Sequence, residues 1–377
     1  MSHTFELNSE VVRDAAIVLA DNLTAANLVQ RQVAENKFAE KIGKSVKVKR
    51  VPDLGAANNF DGTADTSETD VTEEYVTLTI EKHFYQKIPL TSDEKSFSLD
   101  DFMTQIANPC ALSLAESIDS YMLGEMAKGF APNLVGTAGN SPSTIAHILA
   151  GRKKIKDNRG TYKNVACIIN TTSENAFLQL AQFTNADYGE DRPVGLREAS
   201  LGRMHGASFF ASQNVVAHTR GDIAGTVLVD GADQTGTSIV VDGFTAATGT
   251  VYRGTRLTFA GDSTVYTVAA DATIASNSAT LVLTSSKATA AADDAAVTFQ
   301  AAMQSNLLYN VNAVYGAIIA PKPFENGASA VAAFDGLSVR SSFFSDHLRM
   351  KDYYLLDVYC ACNVVHPSSG AVIEGSS

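Results

Sequence analysis

The pattern of hydrophobic and polar positions begins with a helical stripe. Apolar residues recur every three or four positions between residues 10 and 29, the spacing that lines up side chains on one helix face. The stripe consists of Val11, Val12, Ala15, Ala16, Leu19 and Leu23. Ser9 stands where an N-cap belongs. We therefore expect an amphipathic helix here.

Two alternating segments around a polar tract predict a long β-hairpin. Valines alternate with Lys and Arg across residues 43–52, and apolar residues alternate with polar ones across residues 75–90, which predicts two strands. The tract between them, residues 53–72, is rich in Gly, Asn, Thr and acids, so we expect a mobile loop. A hairpin with so little apolar surface is unstable alone, so this arm is expected to gain order from a neighbour.

The clearest helix spans residues 98–126. Nine apolar residues from Leu99 to Met122 form one stripe, as in a helix that packs on a core. Ser98 and Asp101 resemble a capping box at its start. Pro109 lies inside this segment, so either the helix bends there or two helices meet.

Shorter elements follow and alternate between helix and strand. After a Gly/Pro/Ser loop at 131–143, the pattern predicts a helix at 144–157 and a short buried strand at 165–169. A helix capped by Thr172 or Ser173 runs to about residue 180. Residues 186–195 look irregular, and residues 204–216 predict a strand centred on Phe209 and Phe210. Together these elements predict an α/β domain.

The composition changes between about residues 217 and 298. Gly, Thr, Ala and Val dominate, and turn pairs separate short alternating runs at 238–241, 256–259, 264–268 and 279–284. Close spacing of short strands predicts a small β-barrel or sandwich. We interpret it as a domain inserted into an exposed loop of the main one. Beyond it, residues 306–320 predict a buried helix or strand, and residues 337–367 predict two antiparallel strands that turn near Asp346.

The charge balance disfavours a free nucleic-acid-binding protein. Lys and Arg total 29 against 41 Asp and Glu, for a net charge of -12, whereas such proteins normally carry the opposite sign. The 45% hydrophobic content excludes wholesale disorder, and 377 residues suffice for two or three domains. Four scattered cysteines indicate a reducing compartment rather than a disulfide scaffold. We expect neither a membrane helix nor a secretory signal, because no long apolar run occurs.

Known catalytic and metal-binding motifs are missing from the sequence. The segment Gly43-Lys44-Ser45 is not a phosphate loop, because Phe38 replaces the first glycine. A Gly-x-Ser-x-Gly elbow is also missing, and the seven histidines are isolated. Two cysteines near the C-terminus, at 360 and 362, are too few for a zinc site. We therefore predict a non-enzymatic protein without a metal or a cofactor.

Charged residues concentrate at two places. The hairpin arm carries Lys47, Lys49, Arg50, Asp61, Asp65, Glu68, Asp70, Glu73 and Glu74. The helix at 144–157 and the turn after it carry Arg152, Lys153, Lys154, Lys156 and Arg159. The acids do not have the spacing of a calcium loop. Two interpretations stay open: solvated surface charge, or an acidic arm that meets a basic patch on a neighbouring copy. We disfavour nucleic acid as a partner of the basic helix, since aromatic residues are not interleaved and the chain is acidic.

The order of these elements resembles the major capsid protein of tailed phages, the Hong Kong 97 type fold, and more closely the coat-protein family of phage P-twenty-two. Four stretches carry the resemblance: GKSVKVKRVP after the first helix; DVTEEYVTLTIEKHFYQKIPLTSDEKSFSLDDF leading into ALSLAESIDSYML; LGRMHGASFFASQNV before the insertion; and KDYYLLDVYCACNVVHPSSGAVI at the end. The resemblance covers nearly the whole chain and depends on the order and spacing of the stretches.

The resemblance implies an α+β architecture in six parts. These are an N-terminal helical arm (1–41), an extended hairpin loop (42–95), a spine helix with the peripheral domain (96–142), an axial domain (143–216), an inserted β-rich domain (217–300) and closing strands of the axial and peripheral domains (301–377). It implies pentamers and hexamers in an icosahedral shell, with a scaffolding protein, a portal protein and packaged double-stranded DNA as partners. The location would be the virion, and the host cytoplasm during assembly.

Two other classes remain as alternatives. A tail or decoration protein of a phage would suit the Gly/Thr/Ala-rich β region, although the long helix and the α/β part disfavour it. An enzyme with a β-rich accessory domain would need a convergent polar pocket, and the sequence offers no set of residues for one.

Overall fold

The computed structural model describes residues 6–31, 43–50, 52, 71–91, 102–180, 201–324, 328–346, 348 and 351–375. Within these ranges the α-helices are α1 (Glu6–Asn22), α2 (Asn108–Phe130), α3 (Ile145–Asp157) and α4 (Thr171–Leu178). The strands before the Gly/Thr-rich region are β1 (Ser45–Arg50), β2 (Glu74–Thr79), β3 (Lys82–Thr91), β4 (Val165–Ile169), β5 (Arg203–Met204) and β6 (Ala207–Ala211). The predicted α+β class is confirmed.

The Gly/Thr-rich region and the closing part of the chain are all strands and short turns. The region holds β7 (Gly225–Val229), β8 (Gln234–Phe244), β9 (Thr248–Val251), β10 (Arg256–Phe259), β11 (Tyr266–Thr267), β12 (Ala272–Ala275), β13 (Ala279–Ala291) and β14 (Val297–Phe299). The closing strands are β15 (Leu307–Asn310), β16 (Val314–Ile319), β17 (Ala328–Phe334), β18 (Leu337–Asp346), β19 (Lys351–Val364) and β20 (Gly370–Val372).

The helix α2 forms the central core of the molecule. Its residues Leu114, Ile118, Met122, Met126 and Phe130 are buried and repeat every four positions along one face. The predicted end at residue 126 is therefore four residues short. Helix α1 packs against α2, and its apolar stripe is buried as predicted.

One predicted helix feature is wrong: helix α1 begins at Glu6, so Ser9 lies inside it rather than at its cap. At Pro109 two helical segments meet, which is one of the two predicted outcomes: a π-helix at Met103–Ala107 leads into α2 and places the proline in the first turn of α2. The wider π-helical turn accommodates a residue without an N–H inside a continuous helix. The predicted capping box at Ser98 lies outside the described residues.

One five-stranded sheet, in the order β20-β15-β4-β6-β5, separates α2 from α3 and α4. Only β4 and β6 run parallel in it. Ile168 and Tyr309 face the α2 core, whereas Cys167 and Phe209 face the two short helices. The strand at 165–169 is confirmed, and so is the helix at 144–157, whose first predicted residue, Thr144, is the N-cap of α3.

The short elements around this sheet depart from prediction at two places. Helix α4 is capped by Asn170, whose side chain accepts a hydrogen bond from Ser173 N at 2.9 Å, rather than by Thr172 or Ser173. The predicted strand at 204–216 is a β5–β6 hairpin that turns at His205 and Gly206 and ends at Ala211. Both have positive φ, 51° and 82°, the backbone of a tight two-residue turn.

A second sheet has β19 at its centre. On one side of β19 lie β16 and β18, with β17 beyond β18; on the other side lies β3, paired over ten residues from Lys351↔Thr91 to Cys360↔Lys82. The inner face packs on α1 and α2. The predicted pair of strands at 337–367 is confirmed, whereas β17 was not predicted, because its Ala-rich sequence shows little alternation.

The arm strand predicted at 75–90 is two strands rather than one. Strand β2 pairs with β1 from Ser45↔Thr79 to Arg50↔Glu74, while β3 pairs with β19. The chain changes partner at Ile80 and Glu81. Alternation shows which side chains share a face, but it carries no information on which strand is the partner, so the break could not be predicted.

Strands β7 to β14 surround a hydrophobic cluster of their own. It includes Val241, Leu257, Phe259 and Leu281 and contains only residues between 227 and 297. The region leaves the main body after β6 and returns at β15, and both of these strands pair with β4. The β-rich character predicted for 217–298 is confirmed, and the boundaries of 217–300 for an inserted domain stay a prediction.

Candidate intersubunit surfaces

The base of the hairpin arm is anchored to the chain's own sheet. Val46, Val48 and Leu78 are buried and pack against Ala317 and Ala361 on the outer face of the β19 sheet. The expectation of little apolar surface is therefore wrong for the base of the arm, because these three side chains face one way. The described base of the arm is therefore held by packing against the body of the chain.

The charges at the arm base are paired across the hairpin. Lys49 forms an ion pair with Glu73, which also accepts a hydrogen bond from the Tyr75 hydroxyl. Arg50 lies 3.5 Å from Glu74. The hydrogen bond and charge of Glu73 raise the pKa of Lys49, and hydrogen bonds from Lys49 and Tyr75 lower the pKa of Glu73. These exposed groups therefore satisfy one another within the arm.

The structure describes only one of the other charged residues predicted for the arm. Lys47 is exposed on β1. Asp61, Asp65, Glu68 and Asp70 lie outside the described residues, and their contact with a neighbouring copy stays a prediction.

A buried ion network ties β3, β18 and β19 together. Asp357 on β19 is 1% exposed and accepts both Nε and Nη2 of Arg340 on β18, the first at 2.8 Å. His83 Nε2 on β3 lies 2.8 Å from the same carboxylate. Arg340 Nη1 donates to the Lys322 carbonyl at 2.6 Å, and the Phe324 ring covers the guanidinium with its centroid at 4.0 Å. Every charged group of the network thus has a partner, as burial requires.

The half of the outer sheet face that the arm does not cover is rich in aromatic rings. Phe344 and Tyr353 stack with ring centroids 5.2 Å apart, and Lys87 Nζ lies 4.0 Å above the Tyr353 ring. Tyr85 beside them is 63% exposed. An aromatic surface with a polar rim is typical of a protein contact.

A buried aspartate holds the N-terminal segment on α2. Asp119 is fully buried and accepts the backbone N–H groups of Thr24, Ala25 and Ala26 at 2.7, 3.1 and 3.2 Å. Burial raises the pKa of Asp119, and the hydrogen bonds oppose that shift. This carboxylate supplies the acceptor for the N–H groups at the start of the short 3-10 helix Ala26–Leu28, which follows α1.

The basic helix α3 exposes its cations. Arg152 is held by a 3.4 Å hydrogen bond to the His205 carbonyl and by the Tyr162 ring, whose centroid is 5.0 Å from the guanidinium. Four more cations have no carboxylate within 4 Å in the part of the chain that the structure describes: Lys153, Lys154, Lys156 and Arg159. The opposite helix face, with Ile148 and Ile155, is buried.

A polar cavity of about 710 Å³ separates α2 from the β-rich region. Its charged lining residues are Glu81, Lys82, Glu125, Lys128, Arg253 and Asp271. Lys128 Nζ is 2.6 Å from the Glu125 carboxylate. Burial lowers the pKa of His218 to about 4, and its Nε2 lies 3.4 Å from the Thr255 hydroxyl. Asp271 accepts the backbone N–H of Arg253 at 2.7 Å. Charges of both signs are therefore distributed along the cavity, and one pair of them is in direct contact.

The cysteines and the metal-ligating residues offer no reactive site. All four cysteines are buried, and burial raises the pKa of Cys110 to about 11, far from the thiolate that reacts or binds metal. Among the described residues no group of three or more His, Cys, Asp or Glu side chains could hold a metal ion. None of the described helices has the length and apolar character needed to cross a membrane.

Glu374, near the C-terminus, is a buried acid with an incomplete set of partners. It is fully buried, and its Oε1 accepts the backbone N–H of Gln304 while Oε2 has no hydrogen-bond partner. Burial raises the pKa of Glu374 to about 8, against the opposing charge of Arg256. The folded chain therefore keeps this carboxyl protonated at neutral pH.

We expect Glu374→Gln to remove one contribution to the pH dependence of the free energy of unfolding. The unfolded chain loses this proton near its ordinary pKa of 4.5 and the folded chain only near 8. The folded state binds the extra proton between these values, so stability falls as pH rises, by up to about 1.4 kcal/mol per pH unit. Urea unfolding at pH 5 and pH 8 should show a smaller loss for the variant than for the wild type. Parallel losses would contradict the assignment.

Sequence reasoning missed the buried charges of Asp119, Arg340, Asp357 and Glu374. Their signal is a single charge within an apolar run: Asp119 follows an apolar stripe residue, Asp357 stands between Leu356 and Val358, and Glu374 follows Ala-Val-Ile. Such a charge at a core position must be paired, although the partner is far away in sequence.

The chain matches no family model and no curated protein, whereas solved structures are similar to it. They include Mycobacterium phage Che8 (13% identity, TM-score 0.49, 93% of this chain and 90% of that one) and the capsid of cyanophage P-SCSP1u (10%, 0.49, 93% and 87%). The mature capsid of bacteriophage PhiM1 is also similar (11%, 0.45, 89% and 83%). At identities this low the likeness concerns the fold alone. The closer likeness to the P-twenty-two family stays a prediction.

Proposed function

We propose that the chain is the major capsid protein of a tailed phage, which assembles as pentamers and hexamers into an icosahedral shell around double-stranded DNA. One observation carries the proposal: the outer face of the β19 sheet is half covered by the base of the chain's own arm and half left as an aromatic surface. An exposed aromatic face beside an anchored arm base is typical of a surface that binds another protein. A subunit that binds copies of itself needs such a surface.

The arm is the main contact with a neighbouring subunit in this proposal. Because Glu73 and Glu74 are already paired with Lys49 and Arg50, the base gives the arm stiffness, and the acids further along supply charge for the contact. Each contact is weak, since exposed ion pairs contribute about 0–1 kcal/mol. Many such contacts in one shell add up to a stable assembly while single errors stay reversible.

The partners follow from this role. A scaffolding protein and a portal protein would direct assembly, and the packaged DNA would be held without recognition of its sequence. The protein would reside in the virion shell and, during assembly, in the host cytoplasm. The axial, peripheral and inserted parts would divide the chain at the boundaries predicted from the sequence.

The alternatives find less support in the geometry. The cavity between α2 and the β-rich region contains the Glu125–Lys128 ion pair rather than a set of converging reactive side chains, which disfavours an enzyme. A tail or decoration protein does not require α2, a helix of about 35 Å that forms the core of both sheets.

Replacement of residues 56–72 by a short Gly-Ser turn tests the arm. We expect a folded monomer, because Val46, Val48 and Leu78 still anchor the base, but no regular shells, because the contact with the neighbour is lost. Circular dichroism and urea unfolding check the fold, and negative-stain microscopy counts particles against the wild type expressed in parallel. Unchanged particle yield in a folded variant would count against the proposed role of the arm.

A further inference from the structure

Charge is segregated on one surface of the axial sheet. Residues 143–180 and 201–212 contain seven Lys and Arg but only two acids, Asp157 and Glu174, in a chain with a net charge of -12. The cations lie on α3, in the turn after it, and in nearby exposed segments: Arg152, Lys153, Lys154, Lys156, Arg159, Lys163 and Arg203. The β5–β6 turn adjoins α3, because Arg152 donates to the His205 carbonyl. We call this surface the α3 basic face.

The exposed cations of α3 follow one another along the surface. Lys153 and Lys156 are three residues apart on α3, so they are neighbours on the helix surface separated by a rise of about 4.5 Å. Arg159 follows in the turn after the helix, and Leu149 is 42% exposed nearby. The surface is therefore suited to a partner that is recognised by charge along its length.

Arg159 is a charged residue at a backbone position where glycine is preferred. The residue has φ 56°, in the left-handed region, immediately after the last turn of α3. Gly160 N closes that turn by donating to the Ile155 carbonyl at 2.8 Å, which is the hydrogen bond of a Schellman motif. A side chain in this conformation is strained, and glycine relieves that strain. Arg159 makes no ion pair with a described residue, so its charge is available to a partner.

We infer that the α3 basic face binds the phosphate backbone of double-stranded DNA. The choice of DNA rests on the proposed function, in which part of each subunit faces the packaged duplex. The rival occupant is the acidic arm of a second copy. We choose DNA because neighbouring cations without carboxylate partners among the described residues match the regular charge of a phosphate backbone. The argument from missing aromatic residues applies to single strands, whereas a duplex backbone needs only cations.

The experiment compares two triple charge reversals with equal net charge. The test variant carries Lys153→Glu, Lys156→Glu and Arg159→Glu. The control carries Lys44→Glu, Lys82→Glu and Lys322→Glu, at exposed positions away from α3. Anisotropy of a labelled 30-base-pair duplex is measured with the full-length unassembled chain between 50 and 200 mM NaCl.

We expect the test variant to bind the duplex at least 30-fold more weakly than the control at 50 mM salt. The slope of log K against log salt should fall by about 3, since each lost phosphate contact removes about 0.9. Equal losses in both variants would overturn the inference, because net charge alone would then explain binding. Arg159→Gly should weaken duplex binding, because a cation is lost, while it raises the urea midpoint, because glycine relieves the backbone strain. Weaker binding by a more stable variant cannot result from unfolding.

A peptide of residues 53–74 distinguishes the rival occupant. If the peptide binds the wild type but not the test variant, and the duplex binds neither, the partner is the arm of a second copy and the inference is wrong. Failure of the proposed function looks different: the chain would form no shells, while duplex binding would still depend on α3. If the chain forms shells but the α3 charge reversals do not weaken duplex binding, the proposed function is retained and only the inference is wrong.

Discussion

Asp357→Ala is expected to lower the free energy of unfolding by about 3–5 kcal/mol, the usual cost of removing one partner from a buried ion pair. The substitution leaves the guanidinium of Arg340 buried beneath Phe324 with only the Lys322 carbonyl as an acceptor. It also removes the partner of His83. Since β3, β18 and β19 meet at this carboxylate, urea unfolding followed by circular dichroism should register the loss for the whole sheet.

The control is Asp335→Asn. Asp335 lies in the turn between β17 and β18 of the same sheet, with 70% of its side chain exposed and Arg31 at 3.6 Å. Asn tolerates the positive φ of 47° at this position and still accepts a hydrogen bond, so the change should cost under about 0.5 kcal/mol. The double variant Asp357→Leu with Arg340→Met should recover most of the stability, because a buried pair can be replaced by apolar side chains. Similar effects of Asp357→Ala and Asp335→Asn would show that the network does not stabilise the sheet.

Asp119→Ala is expected to cost roughly 2–4 kcal/mol and to loosen the N-terminal segment from α2. Three backbone N–H groups, those of Thr24, Ala25 and Ala26, lose their acceptor, and an unpaired buried donor costs about 1–3 kcal/mol. Limited proteolysis should release the segment that contains α1 faster than in the wild type. Urea unfolding gives the size of the effect.

Glu116→Ala provides the comparison for this position. Glu116 is one turn earlier on α2 but exposed, so its removal should leave both stability and proteolysis nearly unchanged. Asp119→Asn should be milder than Asp119→Ala, since the carboxamide oxygen still accepts hydrogen bonds. If Asp119→Ala behaves like Glu116→Ala, the backbone contacts do not hold the segment.

Much of the fold could be predicted because local patterns determine it. The spacing of apolar residues in α1 and α2, the Thr144 cap before α3 and the five apolar residues of β4 each depend on neighbours in sequence. The β-rich region was predictable for the same reason, since its turn residues recur between short alternating runs.

The rest depends on contacts between distant residues. The division of the arm strand into β2 and β3 follows from two different partner strands, which alternation does not encode. Likewise, the network around Asp357 joins residues 83, 340 and 357, and each looks unremarkable alone. For the candidate surfaces, the sequence predicted the charged residues of the arm and of α3. It did not predict that the charges at the arm base pair with one another, or that the α3 cations have no described carboxylate partner.

The most direct measurement is an image of the assembled chain. We expect the purified protein, expressed alone or with a candidate scaffolding protein, to give closed shells or curved shell fragments in electron micrographs, with fivefold and sixfold clusters of one subunit. A uniform small oligomer that never forms curved sheets, or rings and tubes in place of shells, would contradict the account.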